Sequence, residues 1–129
     1  MQLFAMPVAP DSRLPTSVSL GRDAEARALN FLLQHGLTLI EKNFRCRTGE
    51  IDLIMRDAHI LVFIEVRSRK DRRFGGAAAS VGLLKQQRLW RSAAFYLLRF
   101  RKPPACRFDL VAIDGDDLRW MKNIRLSGS

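Results

Sequence analysis

Cysteine, histidine and acidic side chains are scarce in this chain, and each shortage closes off a class of function. Only two cysteines occur among 129 residues, Cys46 and Cys106. That is too few for a disulfide scaffold or a cysteine-built zinc module. His35 and His59 stand alone, with no metal-ligand spacing, and His59 reads as a turn residue. No uncharged apolar stretch approaches the ~20 residues of a membrane span, so no membrane partner is expected. The N-terminus shows neither the basic nor the continuous apolar region of a secretory signal, and a reducing cytoplasm is the expected compartment. Ser-His-Asp sets, P-loops and dinucleotide fingerprints are absent. A hydrophobic content of 47% is nevertheless too high for a disordered chain. The length suits one domain with a real core.

What is present is basic charge. Lysine and arginine number 22 against 13 acids, a formal net of +9. Segment 67–102 holds eleven of the basic residues and a single acid, Asp71, so it carries +10 while the rest of the chain sums to −1. Such clustering favours a polyanionic partner, nucleic acid ahead of anionic lipid. A basic face kept for solubility is the plainer alternative.

Residues 1–20 contain Pro7, Pro10 and Pro15 with little charge and no period, and read as a flexible leader. Residues 21–125 read as an α/β domain and 126–129 as a tail. Ala24, Ala28, Phe31, Leu32 and His35 follow helical spacing from Gly21 to a stop at Gly36. Glu25 lies at the edge of that helix's buried face. Strands are expected over Leu37–Phe44, Ile51–Met55, Ile60–Val66, Arg107–Ile113 and Leu118–Ile124. A long helix from about Ala77 to Phe100, closed by Pro103-Pro104, is expected to bury Leu83, Trp90, Ala93, Ala94 and Leu97. Its opposite face carries Lys85, Arg88, Arg91 and Arg99. Helix, three strands, helix, two strands suggests a mixed central sheet flanked by helices.

If Ala58-His59 is a two-residue hairpin loop, Asp52 faces Glu65, Glu50 faces Arg67 and Ile54 faces Phe63. Opposed residues share a face, with Cβ atoms roughly 5 Å apart. Ile51, Leu53, Met55, Val62, Ile64 and Val66 form the other, core-directed face. Two opposed carboxylates repel, and a hard divalent cation reverses that sign. Mg²⁺, with Mn²⁺ as a substitute, would sit on Asp52 and Glu65 and polarise a phosphodiester. A surface cluster of exposed ion pairs is the competing explanation.

Asn43-Phe44-Arg45, Gly49-Glu50-Ile51-Asp52-Leu53-Ile54, Phe63-Ile64-Glu65-Val66-Arg67, Phe74-Gly75-Gly76 and Arg107-Phe108-Asp109 occur in this order. In this the chain resembles the YraN-type family of small bacterial proteins, thought to be endonucleases similar to archaeal Holliday junction resolvases. The resemblance spans residues 21–125. It implies a restriction-endonuclease-like fold with the metal site of the PD-(D/E)XK superfamily. Glu25 then resembles the first-helix acid, Asp52 the strand aspartate and Glu65 the second acid, while Arg67 occupies the lysine position. Lys85 resembles a further recurrent position. The implied catalytic set is Glu25, Asp52, Glu65 and Arg67.

The basic loop, Arg69, Lys70, Arg72 and Arg73, together with Lys85, Arg88 and Arg91, would hold the nucleic-acid backbone. DNA is the expected partner, and the charge pattern does not separate it from RNA. A homodimer is compatible with the resemblance, although the sequence carries no dimer signature. Gly75-Gly76 is either a phosphate-binding turn or an ordinary one. Trp90 reads as core, with Gln86 one helical turn away, and Trp120 also reads as buried. Phe74 is free to stack on a base. Asp109 reads as an anchor for Arg107 or Arg45. A metal-dependent endonuclease, a non-cleaving nucleic-acid-binding module and a dock for an acidic protein remain as readings.

Overall fold

The computed structural model describes residues 17–69 and 82–126. Its elements follow the order α1 (Ser17–Gln34), β1 (Thr38–Cys46), β2 (Gly49–Asp57), β3 (Ile60–Arg69), α2 (Leu83–Leu97), β4 (Cys106–Asp114) and β5 (Asp117–Met121). The five strands form one mixed sheet in sequence order. Only β3 and β4 run parallel, because α2 carries the chain across between them. Helix α1 covers one face and α2 the other. No helix among the described residues is long and apolar enough to cross a membrane.

In α1, Ala24, Ala28 and Leu32 form a single buried stripe on Leu53, Met55, Val62 and Ile64. The helix begins at Ser17, four residues before the Gly21 start read from periodicity. It ends in paired bonds from Gly36 N–H to the Leu33 carbonyl and Leu37 N–H to the Leu32 carbonyl. That closure needs a left-handed residue, which Gly36 supplies at φ +93°.

Helix α2 differs from its expected form. Within the described residues it starts at Leu83, after an extended Gly82; the expected 77–81 turn lies outside them. Its end at Leu97 is followed by tighter bonds from Leu98, Arg99 and Phe100 N–H to carbonyls three residues back. The buried face is Leu89, Ser92, Ala93 and Tyr96. Leu83 is 58% and Trp90 39% exposed, so the expected core role of both is corrected. Tyr96 decides the rotation: its ring packs edge-on against Phe44 and Phe63, at 5.1 and 5.9 Å between centroids.

The hairpin register is the one a two-residue loop dictates, from Asp57↔Ile60 to Leu53↔Ile64. Ile51 departs from the expected face. It packs with Phe44, Phe63 and Leu89 beneath α2, whereas Leu53 and Met55 pack beneath α1. The strands change face at Asn43 and Asp52, between the paired positions Lys42↔Leu53 and Phe44↔Ile51. Asn43 takes φ +52° there, which breaks the alternation of the pleat. Both faces of β2 and β3 are thus core, and the acidic residues occupy the place where the strand turns over.

Candidate functional site

Beyond Leu53↔Ile64 the β2–β3 ladder stops, and the Asp52 side chain takes over. Asp52 Oδ2 accepts a hydrogen bond from Val66 N–H at 2.8 Å, which fixes the carboxylate between the two strands. Glu65, one residue earlier on β3, is buried with 3% exposure. Its Oε2 lies 3.4 Å from Lys85 Nζ and 3.6 Å from an Arg67 guanidinium nitrogen. Its Oε1 is buried without a hydrogen-bond partner.

Burial, and after it the charge of Glu65, pushes the Asp52 carboxyl well above the ordinary carboxylate range. Burial raises Glu65 as well, against the opposing pull of Lys85 and Arg67. A second arm reaches in from α1. Asn43 Nδ2 donates to Glu25 Oε1 and to Glu50 Oε2, each at 3.0 Å. Burial raises the Glu25 carboxyl, with Asp52 and Glu50 adding to the effect and Asn43 opposing it. Arg45 Nε stands 3.7 Å from Glu50, so both groups that hold Glu50 come from β1.

The structure therefore gathers Glu25, Asp52, Glu65 and Arg67, on three separate elements, at one end of the sheet. Lys85, expected among the backbone-binding cations, turns inward and joins the carboxylates. Arg88 and Arg91 are exposed on α2. Arg69 ends β3, but its side chain, like Lys70, Arg72, Arg73, Phe74 and Gly75-Gly76, lies outside the described residues. Asn43 entered the sequence reading only as part of a motif, with no role assigned to it. The available signal was its residue type, since asparagine is among the few side chains that tolerate a left-handed backbone. Away from the site, Asp109 anchors Arg107 at 3.0 Å and accepts from Trp120 Nε1 and Asn123 N–H. That settles its role as structural.

Among the described residues no three acids, histidines or cysteines form a ready-made metal cage. Two carboxylates with one unpartnered buried oxygen instead match the manner in which Mg²⁺ is held, by one or two protein carboxylates, water and substrate oxygens. Two cations, Lys85 and Arg67, stand beside them on Glu65 Oε2.

The class defined by these features is a mixed α/β domain with a carboxylate pair, flanked by cations, where an interior hairpin opens. The chain belongs to the uncharacterised protein family UPF0102, whose description matches residues 24–113. It is similar to a UPF0102 protein of Janthinobacterium sp. (strain Marseille), 53% identical over 103 residues, covering 80% of this chain and 84% of that protein. A UPF0102 protein of Herminiimonas arsenicoxydans is 50% identical over 119 residues, covering 86% of this chain and 96% of the relative. The YraN-type resemblance read from the sequence is to this same family.

Proposed function

We propose that this protein is a metal-dependent endonuclease of the restriction-endonuclease-like superfamily, hydrolysing phosphodiester bonds in DNA. Branched or otherwise structured DNA is the candidate substrate. The observation that carries the reading is the buried, half-satisfied carboxylate of Glu65 beside Asp52, flanked by Lys85 and Arg67. Asp52 and Glu65 would hold Mg²⁺ or Mn²⁺, which supplies Lewis-acid polarisation of the phosphodiester. Arg67 and Lys85 would hold phosphate oxygens and oppose the charge that builds in the transition state. Arginine stays protonated, so Arg67 is no general base. Glu25, with its raised pKa and its Asn43 brace, is the side chain suited to orient a water or take its proton. Arg88 and Arg91 would grip the DNA backbone.

The test is cleavage of branched, single-stranded and duplex DNA, with RNA as control, in Mg²⁺, Mn²⁺ and EDTA. Asp52→Asn and Glu65→Gln should each abolish metal-dependent cutting, since each removes a charged oxygen ligand at nearly constant volume. Binding in EDTA should persist, because neither substitution removes a cation that contacts phosphate. Undiminished cleavage by purified Asp52→Asn protein overturns the assignment. A non-cleaving nucleic-acid-binding module is the second reading, and arginine at position 67 favours it. An inert wild type with intact DNA binding would select it.

A further inference from the structure

An open recess of about 370 Å³ lies between the β1–β2 turn and α2, lined by Cys46, Arg47, Thr48 and Phe95. Thr48 Oγ1 is 3.0 Å from Ser92 Oγ and 3.3 Å from Cys46 Sγ, which ties the turn to the helix and fixes the shape of the recess. Phe95 is 56% exposed. Its ring is braced on Phe44 at 6.5 Å between centroids, inclined by 27°. More than half of a large aromatic surface is therefore held in a set orientation and left in water. Arg88 and Arg91 lie seven and four residues before Phe95 on the same helical stripe, both exposed. Arg47 is exposed at the rim. Helix α2 contains no acid, and its charged residues are all cations.

A flat apolar face ringed by cations fits an anionic partner that itself carries flat apolar groups. We infer that this recess is a stacking subsite for an unpaired base of single-stranded DNA, with Phe95 as the platform and Arg47, Arg88 and Arg91 holding the adjoining phosphates. A base pair inside a duplex has both faces covered by its neighbours and cannot use Phe95, so away from duplex ends the subsite selects unpaired segments. Thr48 precedes Asp52 by four residues, roughly 13 Å at strand rise. The stacked base thus belongs to a nucleotide flanking the reacting phosphate. The inference rests on the nucleic-acid reading of the carboxylate site and names the substrate feature that the site prefers.

Fluorescence anisotropy tests it with a labelled oligothymidylate and a labelled blunt duplex, both in EDTA so that nothing is cut. Phe95→Ala and Phe95→Leu should weaken oligothymidylate binding about tenfold, and Phe95→Trp should leave it within about twofold of wild type. Duplex affinity should stay within about twofold for all three variants. Phe95→Leu keeps apolar bulk at the site, so it reports on stacking even if Phe95→Ala perturbs the fold. Wild-type affinity in Phe95→Leu overturns the subsite, as does an equal loss on both probes. A wild type that binds neither probe overturns the nucleic-acid reading itself, whereas tight binding indifferent to Phe95 overturns only the subsite.

Discussion

Lys85 on α2 and Arg67 on β3 bring their charged ends to the same oxygen, Glu65 Oε2, at 3.4 and 3.6 Å. One buried carboxylate oxygen is thus doubly neutralised while its twin, Oε1, has no partner. Such asymmetry suits a carboxylate that leaves one oxygen for an ion and uses the other to hold two cations in place.

Removing either cation should therefore slow cleavage without preventing folding. Arg67→Ala and Lys85→Ala are each expected to cost roughly 10²-fold or more in single-turnover rate, the usual loss for one charge-stabilising donor. Arg67→Lys should keep the activity or raise it, since it retains the charge and restores the lysine of the superfamily proposed above. Equal rates for wild type, Arg67→Ala and Arg67→Lys would remove residue 67 from the chemistry.

The raised carboxylates also make a stability prediction that does not depend on turnover. The folded protein holds a proton on the Asp52–Glu65 pair over a range of pH in which the unfolded chain, above about pH 4, has released it. Stability is then greatest below the unfolded-state pKa and falls as pH rises toward the folded-state values. In metal-free buffer the urea midpoint should decline from about pH 5 to about pH 8, by up to roughly 1.4 kcal/mol in stability for each pH unit over which only the folded state holds the proton. Mg²⁺ should restore much of this at the upper end, and Asp52→Asn should flatten the profile. A wild-type midpoint that rises over this interval would contradict the burial argument.

Salt titration tests the helix surface. If roughly 4–6 phosphates are neutralised, log K should fall against log salt with a slope of about −4 to −5 on duplex. Replacing Arg88 and Arg91 together by alanine should reduce the slope by up to about 2, independently of base sequence. An unchanged slope would place the DNA surface elsewhere.

A structural control comes from Asp109, which is 1% exposed. It accepts from Arg107 on β4, from Trp120 Nε1 at 3.0 Å on β5 and from Asn123 N–H at 2.9 Å beyond it. Asp109→Ala leaves a largely buried guanidinium and two further donors short of an acceptor, although Asp57 still reaches Arg107 at 3.1 Å. The expected cost is about 3–5 kcal/mol, read from urea unfolding. A loss below about 1 kcal/mol would mean that Asp57 and water replace the acceptor.

The hairpin and its acids were legible because a two-residue loop leaves no freedom. Once Asp57 pairs with Ile60 the register runs back to Leu53↔Ile64; the expected Asp52–Glu65 pair lies beyond the last rung, where the Asp52 side chain bonds Val66 N–H instead. The order of elements and the Gly36 stop also followed from local period and backbone preference. Helix α2 was legible as a helix but not in its rotation. Both the Leu83–Trp90–Leu97 stripe and the Leu89–Ala93–Tyr96 stripe satisfy helical spacing, and only the gap between Phe44 and Phe63 selects Tyr96. That choice swings Lys85 inward onto Glu65 and leaves Phe95 in solvent. Local spacing determines which residues can share a face. Which face is buried depends on the shape of a partner surface built by residues distant in the chain, and that only the tertiary structure decides.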